Sequence, residues 1–490
     1  MKRIPIYVLI ITLILAGCQA GGMTPQAGKG GNSAPSLALQ DCEIISQGFV
    51  KATRARCGTL TVPENRANPA GRKIGLNIAV VPAVSRSPKP DPVFLLAGGP
   101  GQAAVELVSS WMVMLERIHQ ERDLVLVDQR GTGKSNPLEC KLPKDDYDIS
   151  EEQAARMIIE CSTKFEADLT QYVTPIAMQD LDEVRAALGY EQINLYGVSY
   201  GTRAALTYLR MFPQRVRTIT LDAVVSPDDV IFLNTPKDAQ RALDLLFARC
   251  KADAACQAAF PNLQIEYARL IDRLRGKTER VKMAHPLTGK PIEFNLTSSA
   301  LTNAVFSLLY TPETASLLPL TIHQAASGDF APLFTQSGAM DAGLYTGMFY
   351  AVICSEDAPH LDAVQASGIA AWTLFSDTTP QVRRICEAFP KATLPADFRA
   401  PLKSDVPALL LSGEADPITP PVYAAEVAKQ LTNSLHVIAP YQGHGITSAG
   451  CVGRLVTDFI KNGSKDGLDA ACVKKLQPVP FFISLTGSMP

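Results

Sequence analysis

Short apolar runs that end abruptly at glycine recur along this chain, with stretches of helical spacing between them. "PVFLLAGGPGQ" at 92–102 and "RDLVLVDQRGTG" at 122–133 have the continuous apolar character of strands buried on both faces. "IGLNIAVVPAV" at 74–84 reads as an earlier, β-branched strand. "TPIAMQDLDEVRAALG" predicts an amphipathic helix: Thr174 as N-cap, Pro175 at the first helical position, apolar Ala177, Leu181, Val184 and Leu188, and Gly189 as the stop. "QINLYG" then predicts a strand, "TRAALTYLRMF" a helix, and "VRTITLDAVV" at 216–225 a strand. "VPALLLSG" at 406–413 and "LHVIAP" at 435–440 repeat the buried-strand pattern around a helix-like "PVYAAEVAKQL". This alternation predicts an α/β fold, a mostly parallel central sheet with helices on both faces and its chemistry at the carboxyl ends of the strands.

Between 226 and 400 the rhythm changes. "DAQRALDLLFARCKADAACQAAF", "IEYARLIDRLRG", "SSALTNAVFSLLY" and "ASLLPLTIHQAA" read as helices, with no strong strand series. The sheet domain is thus expected in two parts, 41–225 and 401–490 with the C-terminal tail, split by a largely helical cap at 226–400. The N-terminus reads as an export signal over 1–17: Lys2 and Arg3, then an apolar run too short to span a bilayer comfortably. "LAGC" ends it and resembles a bacterial lipoprotein box, which implies acylation of Cys18. Gln19 resembles the following residue of lipoproteins held at the outer membrane. The stretch 18–40, rich in Gly, Ser, Pro and Ala, reads as a flexible tether.

Composition narrows the classes. At 490 residues and 47% hydrophobic, the chain can bury an ordinary globular core. A formal net charge of −2 offers no basic field to gather phosphates, which excludes a nucleic-acid partner. Of the 11 cysteines, setting Cys18 aside leaves an even number behind an export signal, which fits disulfides formed in an oxidising compartment. They fall into near neighbours along the chain, giving the expected pairs Cys42–Cys57, Cys140–Cys161, Cys250–Cys256, Cys354–Cys386 and Cys451–Cys472. With no CxxC and no histidine-rich cluster, neither a metal nor another cofactor is expected. "GTGKS" at 131–135 fails as a phosphate loop because Asp128 stands where that motif needs glycine.

"NLYGVSYGTR" places Ser199 between a predicted strand and a predicted helix, flanked by Gly197 and Gly201, which leave room for a sharp turn. A serine hydroxyl is a weak nucleophile at neutral pH, so it needs a base and a group to orient that base. Of 6 histidines, His444 in "YQGHGIT" follows the last predicted strand, whereas His436 lies inside that strand and packs there. Asp416, after the penultimate strand, fits the acid, with Glu414 and Asp222 as rivals. The oxyanion donors expected are the backbone N–H groups of Tyr200 and of Gly99 in "AGGPG".

Together, "GGPG", "DQRGTGKS", "GVSYGT", "DPITP" and "GHG" resemble the proline iminopeptidase and tripeptidyl aminopeptidase branch of α/β-hydrolases, over about 41–475. That branch usually has His or Gln before "GGPG" where this chain has Ala97, which leaves the backbone role of the loop intact. The resemblance implies a serine peptidase that removes residues from peptide N-termini beneath a helical cap, with a carboxylesterase using the same triad as the alternative. The partners implied are a peptide or small ester substrate and, through the lipid anchor, a membrane. "VICSEDAP" resembles a cap segment of the branch, so Glu356 or Asp357 is a candidate for binding the substrate amine; the other reading is a solvated acidic turn beside a disulfide. Arg130 is expected to brace its own loop.

Overall fold

The computed structural model describes residues 37–46, 51–143, 149–231, 234–285, 288–338, 343–362, 374–375 and 379–487. The export signal 1–17, Cys18 and tether residues 18–36 lie outside the described residues. The tether expected over 18–40 ends earlier than that, because Leu37 and Leu39 already pack against the core and Gln40 opens the first strand.

In chain order the strands of the sheet are β1 (Gln40–Ile44), β2 (Thr53–Pro63), β3 (Lys73–Val81), β4 (Val93–Leu96), β5 (Leu124–Val127), β6 (Ile193–Val198) and β7 (Val216–Asp222). After a hairpin of β8 (Glu279–Ala284) and β9 (Pro291–Leu296), the sheet resumes with β10 (Ala408–Gly413) and β11 (Ser434–Ala439). Among the described residues it has nine strands, ordered β1-β2-β3-β5-β4-β6-β7-β10-β11. Pairing is antiparallel from β1 to β5 and parallel from β5 onward.

The continuous apolar runs are explained by burial on both faces. In β4, Phe94 and Leu96 join one core while Val93 and Leu95 join the other, and Val125 and Val127 of β5 part from Leu124 and Leu126 in the same way. The first core packs under α2 (Glu151–Ser162), α3 (Thr174–Ala187) and α4 (Tyr200–Met211); the second packs under α1 (Val108–His119) and the helix Val452–Asn462. Period-2 strands between two helical layers therefore show no polar side at all.

The insertion divides between two cores. The helices α5 (Thr235–Ala252), Leu263–Leu274, Ser298–Leu308 and Leu318–Ala326, with the hairpin β8–β9, form a core of their own. The helices Thr346–Glu356 and Thr379–Ala388 pack into the first sheet core through Met348, Val352, Ile353, Val382 and Ile385. The end of the chain crosses to the cap, where Phe481 is buried in the cap core and the Arg249 guanidinium lies 3.8 Å from its ring centroid. The hairpin "RVKMAHPLTGKPIEF" goes unread in the sequence, because its one-sided alternation is broken by two prolines. All five expected cysteine pairs form disulfides.

Candidate active site

β6 runs straight into α4, and Ser199 is the single residue between them, with φ 56° and ψ −129°. Such a conformation is costly for a residue with a Cβ, and it lifts the hydroxyl out of the chain path. The turn closes only because its neighbours lack side chains. A Cβ on Gly197 would stand 2.3 Å from the Gly201 carbonyl oxygen, and one on Gly201 would stand 2.2 Å from that of Leu96. The Ser199 N–H is held by the Asp222 carbonyl at 2.9 Å, so the turn is fixed to β7.

Asp416 and His444 are hydrogen-bonded, Nδ1 to Oδ2, at 2.9 Å. Asp416 is fully buried and also accepts from the N–H groups of Ile418 (2.9 Å) and Thr419 (2.8 Å) and from the Thr419 hydroxyl (2.7 Å). Burial pushes the Asp416 carboxyl up, but the adjacent imidazole and these donors outweigh it and hold it below the ordinary 3.8. Burial likewise pushes His444 down, and the Asp416 charge more than reverses this, raising it above 6.5. With Nδ1 donating to Asp416, Nε2 is left as the base.

The loop carrying His444 is clamped from two sides. Asp222, one of the rival acids, accepts from the N–H groups of Ile446 (2.9 Å) and Thr447 (3.0 Å), the Thr447 hydroxyl (2.7 Å) and the Tyr196 hydroxyl (3.0 Å). It is occupied in fixing the loop to the end of β7. From the cap, the Tyr310 carbonyl accepts the His444 N–H at 2.7 Å, and its ring meets the imidazole edge-to-face at 5.1 Å. Glu414, the other rival, is exposed and accepts the Tyr441 N–H. Next to Ser199, Val198 lies under Gly445: a Cβ placed there would stand 3.7 Å from Val198 Cγ2. Among the described residues the Ser199 hydroxyl forms no hydrogen bond, whereas the carboxylate–imidazole hydrogen bond of Asp416 and His444 is made.

Gly99, Ser199 and Tyr200 share the wall of an open cleft. Gly98 gives its N–H to the Gln102 side chain at 3.0 Å, whereas the N–H groups of Gly99 and Tyr200 donate to no other described residue. Tyr200 is braced through its hydroxyl, which lies 2.6 Å from Thr174 Oγ1 and accepts from Gln129 Nε2 at 3.1 Å.

The structure corrects the reading of Glu356 and Asp357. Neither lines this cleft and neither is solvated: both are fully buried at the end of the helix Thr346–Glu356. Asp357 accepts two bonds from Arg203 at 3.0 and 3.1 Å. Glu356 accepts the N–H and hydroxyl of Thr174 at 2.7 and 3.0 Å, and burial pushes it up to about 7. The physical reason is Arg203, fully buried on α4, whose charge demands counter-ions inside the protein. Thr174 is likewise not an N-cap: Val173 holds that position and Glu356 reaches across to cap α3. Arg130 is fully buried on Asp180 (2.6 and 2.8 Å) and the Glu64 carbonyl (2.7 Å), away from the cleft.

Thr419 and Tyr310 are the site residues that sequence reasoning missed. Thr419 follows Asp416 at the spacing of a side-chain-to-backbone turn and was findable on that ground. Tyr310 reaches His444 only through tertiary folding of the cap, and no local signal marks it.

The fold is the α/β-hydrolase fold, and with this site it defines a serine hydrolase. Residues 91–254 match the family model "alpha/beta hydrolase fold", and residues 373–472 match "TAP-like protein". The chain is similar to serine protease Hip1 of Mycobacterium tuberculosis, 26% identical over 460 residues, covering 85% of this chain and 87% of the relative. It is similar to a tripeptidyl aminopeptidase of Streptomyces coelicolor, 26% identical over 473 residues (87% of this chain, 84% of the relative). It is also similar to carboxylesterase B of M. tuberculosis, 26% identical over 512 residues (94% and 95%).

Proposed function

We propose that this serine hydrolase is a peptidase that removes residues from peptide N-termini through a Ser199–His444–Asp416 acyl-enzyme mechanism. The observation that carries the reading is the buried Asp416–His444 hydrogen bond, set at the strand ends beside a strained serine and two unengaged amides. Ser199 Oγ attacks the scissile carbonyl while His444 Nε2 takes its proton; Asp416 stabilises the imidazolium. The oxygen of the tetrahedral intermediate is received by the Gly99 and Tyr200 amides, each such donor being worth roughly 10²–10³ in kcat. His444 then protonates the departing amine, and water repeats the sequence in reverse to release the acyl group.

The peptidase direction rests on the relatives named serine protease and tripeptidyl aminopeptidase and on the TAP-like segment. The relative named carboxylesterase favours a second reading, hydrolysis of small acyl esters with the same groups. Labelling with a serine-directed fluorophosphonate followed by peptide mapping tests the nucleophile, and modification elsewhere than Ser199 overturns it. Parallel rates on tripeptidyl-anilides, aminoacyl-anilides and p-nitrophenyl butyrate separate the two activities.

The reading includes export and anchoring at the cell envelope through acylated Cys18, on the periplasmic side of the outer membrane. The five disulfides support an oxidising compartment. Incorporation of labelled palmitate that survives in Cys18→Ala would refute the anchor.

A further inference from the structure

Tyr200 follows the nucleophile and opens α4, and its ring is buried in the first sheet core. The hydroxyl at the far end of that ring is one link in a buried row of polar groups. Gln129, just beyond β5, donates from Nε2 to the Tyr200 hydroxyl at 3.1 Å, and that hydroxyl lies 2.6 Å from Thr174 Oγ1. Thr174 Oγ1 in turn donates to Glu356 Oε2 at 3.0 Å, while Glu356 Oε1 accepts the Thr174 N–H at 2.7 Å. Chemistry at the two ends fixes the direction of the row. A carboxylate only accepts, so the Thr174 hydroxyl gives it its hydrogen and has only lone pairs left for Tyr200; the phenol must therefore donate to Thr174. Gln129 Nε2 only donates, which suits the lone pairs of the phenol. Burial and the Glu356 charge push the Tyr200 phenol up, so it keeps the proton that it donates.

Glu356 ends the helix Thr346–Glu356 of the insertion, and Asp357 beside it holds Arg203, three residues beyond Tyr200 on α4. One end of one helix thus grips the first turn of α4 twice, through Arg203 directly and through Tyr200 by way of Thr174. That turn starts immediately after Ser199, whose φ is 56°. A residue in so costly a conformation keeps it only where its surroundings over-determine it. The Asp222 carbonyl holds Ser199 from the β7 side, and the row of polar groups holds the residue that follows.

We propose that Thr174 and Glu356 are positioning residues of the oxyanion site: by fixing the Tyr200 hydroxyl they hold the strained turn at Ser199 and aim the Tyr200 N–H at the oxygen of the tetrahedral intermediate. The inference rests on the hydrolase reading of Ser199 and deepens it. Neither residue lines the cleft, so both act through Tyr200. The charged groups facing Glu356 are Arg203, at 3.6 Å from α4, and Asp357 beside it, with Arg399 donating to its backbone carbonyl at 3.1 Å. Burial pushes Glu356 up to about 7 against the Arg203 charge, so the row has its carboxylate end above that pH.

The test compares near-isosteric variants of the full chain on p-nitrophenyl butyrate at about pH 8.5, where Glu356 is ionised. Thr174→Val deletes the hydroxyl, and Tyr200→Phe deletes the phenol while keeping the N–H. Each is expected to lower kcat about tenfold or more with KM within about twofold, because a misaimed donor is felt in the transition state and not in ground-state binding. Thr174→Ser keeps the hydroxyl and is expected to bring kcat back to within about threefold of the wild type. The double variant Thr174→Val/Tyr200→Phe should lose no more than the worse single, since both changes cut one row. Glu356→Gln keeps the volume and leaves Arg203 matched by Asp357, so the fold stands; it turns one acceptor into a donor against Thr174 and is expected to lower kcat about tenfold at the same KM. Affinity for n-butylboronic acid, which forms a tetrahedral adduct on a serine nucleophile, is expected to fall in step with kcat across these variants. An unchanged kcat in Thr174→Val, a Thr174→Ser as slow as Thr174→Val, multiplying losses in the double variant, or a boronate affinity that holds while kcat falls would overturn the positioning role. The reading of Ser199 fails separately, through a fluorophosphonate label on another residue.

Discussion

His444 and Tyr310 are joined by a backbone hydrogen bond of 2.7 Å between the loop that carries the base and the cap above it. The residue before the histidine has no room for a side chain, since a Cβ on Gly443 would stand 2.2 Å from the Tyr310 carbonyl oxygen. Cap placement and imidazole placement are thus one geometric problem. Gly443→Ala is expected to lower kcat by about 10² or more while leaving the melting temperature of the body within a few degrees, because a displacement of about 1 Å at a catalytic group costs that much. Calorimetry beside steady-state kinetics checks it; unchanged kcat would mean the loop adapts.

The triad itself should show unequal costs. Ser199→Ala and His444→Ala are each expected to lower kcat by about 10⁶, and Asp416→Asn by about 10⁴, with the residual rate carried by the oxyanion amides and binding. The double variant Ser199→Ala/His444→Ala should lose little more than either single, since the two act as a unit. Additive losses would contradict a shared proton transfer.

The pH dependence has a definite sign. His444 must be neutral to accept a proton, and its value is raised above 6.5, so the acid limb of kcat/KM is expected above pH 6.5. Asp416→Asn removes the charge that raises it and leaves the burial that lowers it, so the limb should move to lower pH in the residual activity. For stability the window differs. A raised histidine contributes fully below 6.5 and loses that contribution as pH climbs through its folded value; a lowered carboxylate contributes above 3.8 and loses it as pH falls through its folded value. The pair is therefore most stabilising between about pH 4 and 6.5, on the acid side of the activity maximum. Melting temperatures of the wild type and His444→Gln across pH 4–9 read this difference directly.

Arg203 offers a stability test away from the chemistry. Its guanidinium and both partner carboxylates are completely buried, so Arg203→Met leaves Asp357 and Glu356 without a counter-charge. A loss of about 3–5 kcal/mol is expected from denaturant titration. Loss below about 1 kcal/mol would mean that Glu356, already pushed up to about 7, simply takes a proton and absorbs the change.

The parts of the fold that the sequence displayed were those where burial leaves a mark on residue type. Strands packed on both faces, such as 93–96 and 124–127, are continuous apolar runs, and Gly197 and Gly201 stand where backbone meets backbone. β1 and β2, at the edge of the sheet with one face partly exposed, carry polar residues at alternate places and passed unnoticed. The placement of Ser199, Asp416 and His444 just beyond strand ends was legible because each follows a continuous apolar run. The charged pair Glu356–Asp357 was misread because a carboxylate looks the same in sequence whether water or a buried arginine neutralises it.

Phe481 ties the end of the chain to the cap core. With this ring inside the cap core, beneath the Arg249 guanidinium, and the Phe482 N–H on the Ser316 carbonyl at 3.1 Å, the last stretch of polypeptide acts as a stay between two lobes. Any wide opening of the cap would have to strip that aromatic anchor out, at roughly 1.5–3 kcal/mol for the side chain alone.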